Sequence, residues 1–86
     1  MVEMKLTPEE KKDPLIVSNR VKRALIVLHN DLGRPVMTTE VAKLLGVKSG
    51  VVRTILGLLI GRGEAKWVKD NPGFIPLVRK SPDEYR

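Results

Sequence analysis

The chain has few of the side chains on which small catalytic or secreted domains depend. Its 86 residues contain no cysteine and a single histidine, His29. Disulfide frameworks and thiolate metal sites are therefore excluded, and one imidazole cannot by itself form a histidine metal site or a catalytic triad. A core of this size also leaves little room for a deep pocket. We expect a protein without catalytic activity, metal or cofactor, in which His29 has a structural role.

Long apolar segments are missing as well. No apolar run reaches the roughly 18 residues that span a bilayer, and the N-terminus lacks the basic-then-apolar pattern of a secretion signal. We therefore expect a cytoplasmic protein with no membrane partner. Glutamine is absent and there are only three asparagines, whereas Val, Leu, Ile, Lys and Arg are abundant. This composition is typical of heat-adapted proteins of the archaeal type.

Acidic side chains are scarce over most of the chain. The whole sequence has 16 Lys plus Arg against 10 Asp plus Glu, a net charge of +6. Residues 18–80 have 12 basic and 4 acidic side chains, which is +8, whereas residues 1–14 have 3 and 4, which is −1. A compact domain with such a surplus repels itself unless it meets a polyanion. Nucleic acid is the predicted partner.

The order of periodic and turn-forming segments predicts an α+β domain. We expect a loosely ordered segment over residues 1–17, a folded domain over 18–80 and a flexible tail over 81–86. Within the first segment, Thr7–Glu10 has the pattern of a capping box. The domain should contain a helix from Ser18 or Asn19 to Asp31, a small strand near Val36, a helix from Thr38 or Thr39 to Leu45, a helix from Lys48 or Ser49 to Arg62, and a hairpin with strands 65–69 and 74–78.

Two stretches of this pattern resemble a known family. The segment TTEVAKLLGVKSGVVRTIL (residues 38–56) resembles the helix-turn-helix of the winged-helix superfamily, and IGRGEAKW (60–67) resembles the passage from its recognition helix into the wing. The resemblance covers residues 18–80. It implies a winged helix-turn-helix fold with three helices, a short strand and a C-terminal β-hairpin wing. It also implies that the third helix enters the major groove and that the wing touches the DNA backbone.

The third helix contains glycines that a helix does not favour, since each interior glycine costs about 1 kcal/mol relative to alanine. On a helical wheel, one face collects the apolar residues Val52, Ile55, Leu56, Leu59 and Ile60, which we expect to be buried. The opposite face collects Gly50, Gly57 and Gly61 with Arg53 and Thr54. The preferred interpretation is close approach to a nucleic-acid groove. Pairing with a second helix and the absence of any role are the alternatives.

Further candidate contacts follow from position. Lys48 and Ser49 begin the third helix, where base or phosphate contacts arise, although Ser49 is equally explained as a helix cap. Arg53 could bind guanine or phosphate, and we favour phosphate because phosphate contacts are commoner. The other candidates are the wing residues Lys66, Lys69 and Asn71, and Arg20, Lys22 and Arg23 of the first helix. Trp67 is expected to pack the wing onto the core.

The function that these patterns favour is non-catalytic binding of double-stranded DNA by a transcription regulator or genome-associated protein. One alternative is a winged-helix module that docks on protein within a larger complex. Helix one is apolar around most of its circumference, and Val51 and Leu58 lie at the edge of helix three, so apolar surface is available for a protein partner. Another is an RNA-binding winged helix. A homodimer is a further possibility, with Ile26, Val27 and residues 15–17 as the candidate surface.

Overall fold

The computed structural model describes residues 4–77, which form three α-helices followed by a β-hairpin. A 3₁₀ turn, Glu10–Lys12, precedes the helices α1 (Pro14–Leu32), α2 (Thr38–Leu45) and α3 (Ser49–Gly61), and the strands are β1 (Ala65–Val68) and β2 (Gly73–Pro76). The α+β class is confirmed, and the arrangement is compatible with a winged helix. The predicted tail, 81–86, and the last predicted wing residues, 78–80, lie outside the described residues.

Helix α1 begins four residues earlier than the sequence suggested. The Asp13 side chain accepts a hydrogen bond from the backbone N–H of Leu15 at 3.0 Å, and Pro14 takes the first helical position, where its missing N–H costs nothing. Asp13-Pro14 therefore starts a helix as well as ending the preceding turn. The boundary expected after residue 17 falls inside α1, and residues 15–17 are helical.

The turn before α1 has the predicted capping box. The backbone N–H of Thr7 donates to Glu10 Oε1 at 2.9 Å, and the N–H of Glu10 donates to Thr7 Oγ1 at 3.2 Å. This reciprocal pair satisfies two backbone donors at the start of the turn. The backbone hydrogen bond from Thr7 is the main cause of a lowered pKa of the Glu10 carboxylate, and the charge of Arg20 lowers this pKa further.

The buried face of α1 includes Val21 and Leu25, whereas Leu32, at the C-terminal end of the helix, is 42% exposed. Ile26, a candidate for a homodimer surface, is only 7% exposed within the single chain. It therefore offers little surface to a partner.

The N-terminal residues supply part of the core. Met4 and Leu6 are buried, and the N–H of Leu6 donates to the carbonyl oxygen of Leu45 at 2.9 Å. The chain thus runs beside the end of α2 before it reaches α1. Sequence reasoning assigned these residues to a loosely ordered segment because a stretch of six residues carries too little periodicity to indicate burial.

The helix-turn-helix geometry is set by a glycine. Gly46 ends α2 with φ of 70°, a left-handed conformation that costs other residues energy, and its N–H bonds to the carbonyl oxygen of Ala42. Helices α2 and α3 meet at an angle of 117°. Their buried faces join the same core through Val41, Ala42, Leu45, Val52, Ile55, Leu56 and Leu59.

The hairpin is antiparallel, and Trp67 lies opposite Phe74. Val36 extends it by a single bridge. The N–H of Val36 donates to the carbonyl oxygen of Phe74 at 2.9 Å, and the N–H of Phe74 donates to the carbonyl oxygen of Val36 at 2.7 Å. The small strand predicted near Val36 is thereby confirmed as one bridging residue. The chains approach closely here: a Cβ on Gly73 would lie 2.8 Å from Cβ of Pro35.

Candidate nucleic-acid interface

Helix α3 presents a mainly non-polar surface to solvent. Eight of its 13 residues are exposed: Gly50, Val51, Arg53, Thr54, Gly57, Leu58, Ile60 and Gly61. Only one of them carries a charge. Ile60, predicted to be buried, is 41% exposed, because it lies at the edge of the apolar face, near the end of the helix, where the core no longer covers it. The other four predicted core positions are buried.

The three glycines of α3 face open space. A Cβ placed on Gly50, Gly57 or Gly61 would meet no atom outside the helix backbone within 4 Å. The protein itself therefore gives no packing reason for them, and the predicted outward stripe is confirmed. Thr54 lies on this face, and its hydroxyl donates to the carbonyl oxygen of Gly50 at 3.0 Å. This internal bond occupies the hydroxyl proton.

Lysines gather where α3 begins. Lys48 is the residue before the helix, and Lys11 lies across from it on a groove of about 380 Å³ that Val17, Gly46, Val47 and Val51 also line. The Lys5 side chain passes the same turn, with Cγ 3.6 Å from where a Cβ on Gly46 would lie. Helix N-termini favour anions, so Lys48 and Lys11 reinforce the positive end of α3.

Sequence reasoning missed Lys5 and Lys11 because they belong to a stretch with a net charge of −1. The capping box at Thr7–Glu10 could have indicated the position of Lys11, because it predicts an ordered turn and Lys11 belongs to that turn. Ser49, considered as a helix cap, is instead the first helical residue and is half-buried, whereas Lys48 takes the cap position without a side-chain hydrogen bond.

The hairpin contributes exposed polar groups. Lys66, Lys69 and Asn71 are all exposed, and neither lysine forms an ion pair with another described residue. Trp67 is 41% exposed and meets Phe74 edge to face, with ring centroids 4.9 Å apart. The expectation that Trp67 packs the wing onto the core is therefore wrong in detail. Trp67 covers Phe74, and Phe74 contacts the core.

The basic side chains of α1 are partly buried, and two of them form ion pairs within the protein. Arg20 Nη2 lies 2.8 Å from Glu10 Oε2, and Lys22 Nζ lies 3.3 Å from Glu64 Oε2. Their side chains are only 22% and 11% exposed. Arg23 is half-buried, and its Nε is inaccessible to solvent. These three predicted contacts therefore do not form part of the exposed basic surface, because folding brings carboxylates to two of them and buries much of all three.

A third ion pair closes the loop between α1 and α2. Arg34 donates two hydrogen bonds to the Glu40 carboxylate, at 3.0 Å and 2.6 Å, and Glu40 also accepts the N–H of Met37. These bonds, Arg34 first, lower the pKa of Glu40 below its ordinary value, and the carboxylate raises the pKa of Arg34. Glu40 thus caps α2, a role that sequence reasoning gave to Thr38 or Thr39.

An apolar groove runs between α1 and α3. It has a volume of about 410 Å³ and is lined by Lys11, Pro14, Val17, Ser18, Val51, Thr54, Ile55 and Leu58. It shares Lys11, Val17 and Val51 with the groove at the start of α3, so the two are continuous. Leu58 is 59% exposed and Val51 43%, which leaves apolar surface uncovered along this side of α3.

No group of three or more metal-ligating side chains occurs among residues 4–77. In the same range no single helix is long and apolar enough to cross a membrane, although α2 and α3 taken together, despite their bend, pass the same length and composition test. Comparison of the chain with protein-family models, with curated proteins and with solved structures finds no match.

Proposed function

We propose that this protein binds double-stranded DNA without catalysis, as a transcription regulator or genome-associated protein. The observation that carries the proposal is the charge of the helix-turn-helix. Residues 41–63 contain Lys43, Lys48, Arg53 and Arg62, all exposed, and no acidic residue. Glu40, in the first turn of α2, is paired with Arg34, and two carboxylates elsewhere in the described chain, Glu10 and Glu64, are also engaged in ion pairs. The surplus positive charge is therefore concentrated on the surface that would meet a polyanion.

The shape of that surface supports the same proposal. Helix α3 is exposed along one side, its glycines allow a backbone or groove floor to come close, and Lys48 stands at its positive end. Lys66 and Lys69 extend the basic surface onto the hairpin. In this proposal α3 lies in the major groove, Lys48 contacts a phosphate, Arg53 contacts a phosphate or a guanine, and the hairpin follows the sugar–phosphate backbone.

The test is a fluorescence anisotropy titration of labelled 24-base-pair DNA at two salt concentrations. We expect binding that weakens steeply with salt, and a matched variant, Lys48→Ala with Arg53→Ala, that binds much more weakly while unfolding at the same temperature. A salt-independent response, or equal binding by the variant, would contradict the proposal. A parallel titration with duplex RNA separates DNA from RNA binding, since A-form RNA has a deep, narrow major groove that does not admit a helix.

The groove between α1 and α3 favours protein docking as a second candidate. Its lining is apolar except for Lys11, Ser18 and Thr54, and Lys48 lies at its continuation. The partner that this chemistry fits is an amphipathic helix with acidic side chains beside its apolar face. A displayed library of 16-residue peptides, selected on the protein and counter-selected on Leu58→Glu, should yield apolar residues at helical spacing with flanking acids. A selection without that pattern contradicts this candidate.

A further inference from the structure

The exposed face of α3 offers little that can distinguish base pairs. Its eight exposed residues are three glycines, the aliphatic Val51, Leu58 and Ile60, Thr54 and Arg53. Bases are distinguished in the major groove by hydrogen-bond donors and acceptors and by the thymine methyl group. The aliphatic and glycine positions provide no hydrogen-bonding side chain. Glycine offers no side chain to a base, and an aliphatic side chain can favour only the thymine methyl group.

The two polar side chains on this face are limited in different ways. The Thr54 hydroxyl already donates to the carbonyl oxygen of Gly50 at 3.0 Å, which leaves it only as an acceptor. Arg53 is exposed and pairs with no carboxylate of the described chain, so its guanidinium can bind one guanine or one phosphate. Ser49 adds one half-buried hydroxyl at the first position of the helix.

A helix that reads one base pair discriminates modestly. One bidentate contact to a base changes affinity by about tenfold and at most by roughly a hundredfold. Proteins that find a specific site bind it about 10³ to 10⁷ times more tightly than other sequences. In the proposed binding mode Lys48, Lys66 and Lys69, at the ends of this surface, contact phosphates, which every duplex shares.

We infer that this protein binds duplex DNA with little regard to base sequence, as an architectural or packaging protein does. The inference rests on the proposed function and narrows its target to duplex DNA of any sequence. Helix α3 lies close to the groove floor because its exposed glycines have no side chains. The surrounding cations bind the phosphates. The free energy of binding then comes mainly from contacts with the DNA phosphates, and Arg53 provides the main, small preference among sequences.

The test combines a selection with direct titration. A pool of duplexes with 20 randomised base pairs is selected on the wild-type protein, and affinities are then measured for a dozen unrelated duplexes of equal length. We expect no enriched motif longer than two base pairs and affinities that agree within about tenfold. An enriched motif of four or more base pairs, or one duplex bound about 10³-fold more tightly, would overturn the inference while leaving the proposed function intact. Absence of binding to every duplex would instead remove the proposed function, and the inference with it.

Two variants show where any preference resides. Arg53→Ala should weaken binding severalfold and reduce the spread of affinities across the duplexes. Lys66→Ala, on the wing, should weaken binding by a similar factor and leave the spread unchanged, because it contacts only phosphate. If Arg53→Ala abolishes a preference larger than about a hundredfold, α3 reads sequence and the inference is wrong.

Discussion

Helix α1 and residues 41–63 contain similar numbers of basic side chains, three and four. In α1, Arg20 and Lys22 pair with carboxylates and, like Arg23, are half-buried. In residues 41–63 all four cations are exposed, and that segment contains no acid. The same residue types therefore serve the fold in one region and remain available to a partner in the other. Sequence-level charge counts do not separate these two uses.

Salt dependence should show the largest effect. If Lys48, Arg53, Lys66 and Lys69 each contact a phosphate, log K should fall against log salt with a slope of about −3.6, or about 150-fold between 50 and 200 mM. Arg20→Ala should leave this slope unchanged, because its side chain is paired with Glu10. A slope smaller by about 1 in Arg20→Ala would show that α1 contacts DNA, and it would contradict the view that the cations of α1 serve only the fold. The measurement is anisotropy across a salt series.

Lys22 and Lys48 form a matched pair of single substitutions. Lys22→Ala should lower the free energy of unfolding by about 1–2 kcal/mol, since it leaves the largely buried Glu64 carboxylate without its partner. Its DNA affinity should stay the same. Lys48→Ala should do the reverse, with unchanged stability and a slope smaller by about 1. Urea unfolding and DNA titration of both proteins test this, and identical behaviour of the two variants would contradict it.

The substitution Gly57→Ala tests whether the glycine face of α3 contacts DNA. The added methyl meets no other atom within 4 Å, so the helix should gain about 1 kcal/mol of stability. If the glycine face meets DNA, affinity should fall about fivefold because close packing is lost with separation. The control is Asn30→Ala on the exposed side of α1, which should stabilise the folded protein and leave its DNA affinity unchanged.

Other outcomes for Gly57→Ala distinguish the remaining interpretations. A shift from dimer to monomer in sedimentation equilibrium would indicate helix pairing, with stability that depends on protein concentration. Unchanged binding and unchanged oligomeric state would show that the glycines have no role in recognition. We expect a more stable protein of the same oligomeric state with weaker DNA binding.

The smallest expected effect is a loss of folding stability at acidic pH. The pKa of Glu40 is lowered in the folded state, so its ion pair with Arg34 stabilises the fold above the ordinary glutamate pKa and the contribution is lost as pH falls through the folded pKa. Stability should therefore be level near neutral pH and decline below about pH 4.5. Glu40→Gln should cost at most about 1 kcal/mol at pH 7 and show a shallower acid decline. Thermal melts between pH 3 and 7 measure it, and equal acid slopes would contradict the assignment.

Predictions based on local patterns were the most accurate. The capping box at Thr7–Glu10 and the hairpin depend on a few neighbouring residues, and the structure contains both. The outward glycine face of α3 also followed from helical periodicity. Errors arose where distant groups meet: the cover of Ile26, the exposure of Ile60 and the position of Trp67 depend on which elements lie nearby.

The three helices, the turn between α2 and α3, the hairpin and the positive surplus follow from the order of residues along the chain, because helical periodicity, caps, glycine turns and composition are local or additive properties. Which cations are available to a partner depends on the folded arrangement. Glu10 and Glu64 come from outside α1, and they reach Arg20 and Lys22 only when the chain folds. Lys5 and Lys11 likewise join Lys48 only through folding. An ion pair depends on distance in space, and a surface depends on what covers it, so neither can be determined from neighbours along the chain.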